Sequence, residues 1–211
     1  MHTFFYSTQT CSTAVHIALE EAGIPFEGIE VSWKRKVNVA ELEKVSPLGQ
    51  VPVLVKDGKS LNQGSTILEY IADQAPTKKL VPAAGSWERA QAQSWLAFIG
   101  ADLQKSFGPM FMASRWTNDT TVQTEIRKST AEGIHKHLAY IDQALAGKEF
   151  ILGKQFSVVD AFLFTILGWC KWSEIKTGKY SNIMTYLKRV YDRPAVQKVL
   201  AKEDMLDFMP S

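Results

Sequence analysis

Over the first seventy residues, apolar positions come in short runs separated by turn residues. From Trp87 onward they recur at helical spacing to the end of the chain. Thr3 to Tyr6 reads as a short buried strand, the polar stretch Ser7 to Thr10 as a turn, and Val15 to Ala22 as an amphipathic helix closed by Gly23 at its C′ position. A second strand is predicted near Ile29 to Trp33, which makes a parallel βαβ unit, and residues 39 to 45 form a short helix before Pro47. Val51 to Val55 then runs into a turn at Asp57-Gly58 and a return strand at Ser60-Leu61. Ile67, Leu68, Tyr70 and Ile71 carry helical spacing after it. The opening segment therefore reads βαβ followed by ββα.

The second half reads as all-helical. A long helix is predicted from Trp87 to about Trp116 with a bend at Gly108-Pro109, where proline removes a backbone donor. Further helices follow over 120–146, 158–173, 181–192 and 195–202. Two prolines and a glycine between Pro76 and Ser86 mark a connection. The division is then an α/β domain over 1–78, a linker over 79–86 and an all-helical domain over 87–211.

Composition adds exclusions. The chain has 211 residues and 45% hydrophobic content, enough to bury a core, and its net charge of +2 is too diffuse for a phosphate-backbone binder, so nucleic acid is not an expected partner. Cys11 and Cys170 are two cysteines far apart in sequence, which provide neither a disulfide framework nor a cysteine-based metal site and favour a reducing compartment. No secretory or membrane-spanning pattern is seen, and a cytoplasmic protein without a metal or a membrane partner is expected.

Candidate chemistry gathers at the first strand–turn–helix. Cys11 stands at a helix start, where free amides and the helix dipole favour thiolate, so a lowered thiol pKa is expected. Ser157 with Asp160 three residues later reads as a variant capping box and is assigned a structural role. Three further segments carry a resemblance: Gly49-Gln50-Val51-Pro52-Val53-Leu54, Leu61 to Ile71 through Gln63-Gly64-Ser65, and Phe156 to Ala161. In this order they resemble the glutathione S-transferase superfamily over essentially the whole chain. Tyr6, Cys11, Ser12 and His16 look most like its bacterial beta class.

The resemblance implies a thioredoxin-like N-terminal domain, a helical C-terminal domain, a homodimer, and glutathione with a small hydrophobic electrophile as substrates. It implies a cis Val51-Pro52 peptide whose valine grips the cysteinyl unit of glutathione, with Gln50 beside it. Gln63, Gly64 and Ser65 would then take the γ-glutamyl end at a helix N-terminus. Cys11, Tyr6 and Ser12 become candidates for activating the thiol; Lys36, Asp102, Gln104 and Lys105 become further glutathione contacts, with Gln104-Lys105 where the beta class tends to carry histidine and lysine. Phe107, Phe111 and Trp172 are assigned to an apolar electrophile site, and Asp204 to Ser211 to a lid over it or to disorder. Conjugation and Cys11-based thiol transfer or peroxide reduction stay open as chemistries. A non-catalytic glutathione or hydrophobic-ligand binder of the same fold is the alternative.

Overall fold

The computed structural model describes residues 1–210. Four strands, β1 (His2–Tyr6), β2 (Phe26–Glu30), β3 (Val53–Lys56) and β4 (Lys59–Asn62), form one sheet in the order β2-β1-β3-β4. β2 lies parallel to β1, and β3 and β4 are antiparallel additions. This is a thioredoxin-like sheet. Strand period sends Phe4 and Tyr6 to one face, against α1 (Ser12–Ala22) and α3 (Gly64–Gln74). Phe5 goes to the other, where it meets Leu42 of α2 (Val39–Val45), Val31 and Val53.

Gly23 ends α1 with φ of 68°, the left-handed conformation that glycine supplies without strain. β2 sits at Phe26–Glu30 rather than near Ile29–Trp33. The parallel register pairs His2 with Phe26 and Tyr6 with Glu30, and the chain past Val31 turns back on itself at a bridge between Ser32 and Val37.

The remaining elements are helical. α4 (Trp87–Ala97) passes into a π-helical turn at Phe98–Leu103, then α5 (Gln104–Ser106) and α6 (Gly108–Met112). They are followed by α7 (Thr120–Leu145), α8 (Val158–Trp172), α9 (Ser181–Tyr191) and α10 (Pro194–Lys202). The long helix expected from Trp87 to Trp116 is thus interrupted twice, at the π turn as well as at Gly108-Pro109. A π turn inserts a residue into the helical ladder without proline, so apolar spacing does not announce it. α8 is buried along most of its length and packs on α1, joining sheet, α1, α3 and the later helices in one hydrophobic cluster.

Its start is held by Asp160, whose carboxylate accepts the Ser157 amide and hydroxyl, both at 2.8 Å, and the Ile151 amide at 2.9 Å. Burial nevertheless pushes the Asp160 carboxyl up to about 6.

The expected lid is corrected. Met205 and Phe208 are fully buried, and the Phe208 ring lies 4.9 Å from that of Phe164 and 5.6 Å from that of Trp172. It covers Gly168, where a Cβ would come within 1.9 Å of the ring. Large apolar side chains at a chain end gained more from this slot than from covering a cleft; Ser211 lies outside the described residues.

Candidate active site

Between the end of β1 and α1 the chain makes a tight polar turn. Thr10 and Ser12 hydroxyls lie 2.7 Å apart, and each is within 3.0 Å of the Ser7 carbonyl; the Ser7 amide donates to the Ser12 oxygen. Ser12 is fully buried, so its hydroxyl organises the turn and is closed to a substrate, correcting its assignment as a catalytic candidate. The turn presents Cys11, half-buried, on the wall of a cleft of about 600 Å³.

The opposite wall is the loop before β3. Ser46 clamps it, accepting the Gln50 amide at 3.0 Å and donating to the Gln50 carbonyl at 2.9 Å, and the Val51-Pro52 peptide that follows is cis. The Cys11 thiol faces the Val51 carbonyl at 3.8 Å. Gln63, with φ of 72°, turns the chain from β4 into α3, and Gln63, Gly64 and Ser65 form the floor. α4, the π turn and α5 close the far side and bring Gln104 and Lys105 to the same cleft.

Burial pushes the Cys11 thiol up to about 11, against opposing pulls from a Gln104 hydrogen bond, the residue's own amide and the Lys105 charge. The lowered thiol expected at a helix start is therefore reversed. The first-turn amides are already engaged: Ser12 donates to the Thr10 hydroxyl at 3.2 Å, Thr13 to the Thr10 carbonyl and Ala14 to the Cys11 carbonyl. With those donors taken, desolvation outweighs the dipole.

Tyr6 is corrected too. Its ring stacks on Phe4 at 5.4 Å and leans on His16 at 5.1 Å, on the core side of α1, and burial, with the Glu203 and Glu30 carboxylates, raises its hydroxyl above the usual phenol range. It is only 6% exposed and does not line the cleft. Phe107 is 0% exposed, so it offers no face to an electrophile; it backs Phe111 and Trp169 instead. Phe111 keeps 44% of its surface, and Trp172 packs against Phe208. Neither borders the cleft, and nor do Lys36 and Asp102, both exposed.

Several residues of the site escape sequence reading. Leu48, 75% exposed, stands on the cleft lip, and Phe162 of α8 forms part of its wall. An apolar residue left in the loop just before Val51-Pro52 was a usable signal for Leu48; Phe162 reads as ordinary core. Below the turn, Glu203 at the end of α10 accepts the Thr13 hydroxyl and pairs with His16 Nδ1, each at 2.7 Å, wholly out of solvent. This carboxylate pins the first turns of α1, and with them Cys11, to the helical half.

Family models for the glutathione S-transferase N-terminal domain and C-terminal domain match residues 10–74 and 101–203. An Escherichia coli glutathione S-transferase is 33% identical over 95% of this chain and 98% of its own. A sphingomonad glutathione S-transferase complexed with glutathione superposes with a TM-score of 0.87 at 37% identity, over 96% of this chain and 99% of that one. A bacterial beta class enzyme from Sphingomonas chungbukensis gives 0.87 at 36%, with the same coverage.

Proposed function

The chain belongs to the glutathione S-transferase family, on its bacterial beta-like side, and is an enzyme of that family; from this premise we propose that it conjugates glutathione to small hydrophobic electrophiles in the Cys11 cleft. One observation carries the reading: a single cleft gathers the Val51 backbone beside a cis proline, the N-terminal end of α3 and the Cys11 sulfur. The Val51 amide and carbonyl suit the cysteinyl unit of a peptide laid along that edge. Gln63, Gly64 and Ser65 suit a carboxylate, because unpaired amides and the positive dipole end meet there. Gln50 and Lys105 provide further polar and cationic contacts.

In this pose the glutathione sulfur comes to rest by Cys11, Gln104 and Lys105. The Cys11 thiol, held protonated at neutral pH, donates a weak hydrogen bond to the glutathione thiolate, while the Gln104 amide and Lys105 ammonium favour the same negative charge. The glutathione thiol releases its proton to water at the open cleft, the thiolate attacks the electrophile, a sulfur–carbon bond forms and the leaving group departs with its electron pair. The raised Cys11 pKa ranks conjugation ahead of a mixed disulfide formed by Cys11, since that route needs the Cys11 thiolate. The electrophile is assigned to the apolar part of the same cleft lining, Leu48 and Phe162. We place the enzyme in the cytoplasm, as a homodimer acting in detoxification, with exposed Asp102 reaching across to the partner's ligand.

Initial rates with glutathione and an activated aryl chloride test this reading. Gln63→Asn suits the positive φ and shortens the side chain by one carbon, so it should raise KM for glutathione by about tenfold or more with kcat nearly unchanged, the loss of one charge-assisted contact. Absence of turnover with every electrophile tried would sink it.

A further inference from the structure

Ser46 ends α2, where its amide donates to the Leu42 carbonyl at 2.8 Å, and Leu42 is wholly buried beside Phe5 and Val53. The Ser46 carbonyl accepts the Gly49 amide at 2.8 Å, and its buried hydroxyl takes up both backbone groups of Gln50. Pro52 has no amide to give. Of residues 49–52, Val51 is therefore the one with a backbone donor left over.

Direction follows from the same bonds. Consecutive residues of an extended chain point their N–H and C=O groups to opposite edges, and a residue before proline is held extended. Tying both groups of Gln50 to Ser46 turns those of Val51 the other way, toward Cys11, whose thiol faces the Val51 carbonyl. Distance to the far end of the site is set as well. Val53 pairs with Asn62 across β3 and β4, so Val51 and Gly64 each stand two residues from one fixed pair. A peptide whose cysteinyl unit lies on Val51 reaches the start of α3 only with an N-terminal arm of the right length. We infer that Ser46 is a positioning residue that sets this length, selecting the γ-glutamyl arm of glutathione over a β-aspartyl arm, which is shorter by one methylene. The inference rests on the glutathione pose proposed above. Ser46 acts through Gln50 on Val51 and not on the reacting sulfur.

The test is the ratio of kcat/KM for glutathione to that for β-aspartyl-cysteinyl-glycine, each with the activated aryl chloride. Wild type is expected to favour glutathione by about tenfold or more, because the shorter arm loses a charge-assisted contact at α3. Ser46→Ala should raise KM for glutathione about tenfold with kcat nearly unchanged, and should reduce the preference to about threefold or less, since Val51 is no longer held in one place. Ser46→Thr keeps the hydroxyl and should restore both values. A lesion of the fold alone would slow both peptides by the same factor and leave the ratio as in wild type. An unchanged ratio in Ser46→Ala with native circular dichroism overturns the inference, as does Ser46→Thr as unselective as the alanine variant. A wild-type preference below about threefold overturns it without any variant. Absence of turnover of either peptide by wild type overturns the conjugation reading together with it.

Discussion

A Cys11 thiol at about 11 should be a poor nucleophile at neutral pH, and thiol–disulfide exchange with a chromogenic aromatic disulfide measures this directly. At pH 7.5 its thiolate fraction is lower than that of a free cysteine with pKa 8.5 by roughly 300-fold. Intrinsic nucleophilicity rises with pKa and returns roughly a factor of 13 at a Brønsted slope of about 0.45. The net expectation is exchange about 20-fold slower than for a cysteine peptide, and slower still for a half-buried sulfur. Cys170 is fully buried and pushed to about 12, so it does not contribute to the signal. The rate should climb tenfold per pH unit to at least pH 10 without levelling. Gln104→Ala, which removes a hydrogen bond favouring the thiolate, should slow exchange a further ~5-fold. A plateau at or below pH 8.5, or exchange as fast as the peptide, would refute the argument that desolvation outweighs the helix start.

Asp160→Ala leaves the buried Ser157 and Ile151 amides without an acceptor and should cost about 2–4 kcal/mol in urea unfolding, with glutathione affinity unchanged in the folded protein. Because the folded Asp160 pKa of about 6 lies above its ordinary 3.8, its contribution is full below pH 4 and fades as pH rises through 6, so the wild-type advantage over the alanine variant should be greater at pH 4.5 than at 7.5. Gly168→Ala should cost about 1–3 kcal/mol, since its methyl would meet the Phe208 ring, and Phe208→Leu should recover part of the loss in the double variant. Glu203→Ala should lower the melting temperature and raise the mobility of α1 in amide exchange, because the buried Thr13 hydroxyl and His16 ring lose their acceptor.

Elements whose cause is local were legible in the sequence. Gly23 closing α1, the Asp57-Gly58 turn and the cap at Ser157 are each decided by a few neighbouring residues. The cleft walls at Gln50 to Pro52 and Gln63 to Ser65 were legible only because their motifs resemble a known family. What depends on neighbours distant in sequence was not. The Cys11 pKa turns on burial and on which amides Thr10 had already engaged. Glu203 meets Thr13 and His16 across about 190 positions of chain. Phe107 and Phe111 have similar character in sequence, yet one is sealed behind the other, and the π turn that separates them from α4 leaves no mark in apolar spacing.

The account rests on glutathione occupying the Cys11 cleft, and calorimetric titration of glutathione into wild type and Gly64→Trp tests that most directly. A Cβ at Gly64 would meet its nearest neighbours, Pro52 and Phe162, at 3.8 and 4.0 Å, ordinary contacts, so the backbone accepts a side chain there and the indole must project into the cleft. One glutathione per chain in wild type and none in Gly64→Trp, with circular dichroism unchanged, is the predicted result. Equal binding by both proteins would contradict the account.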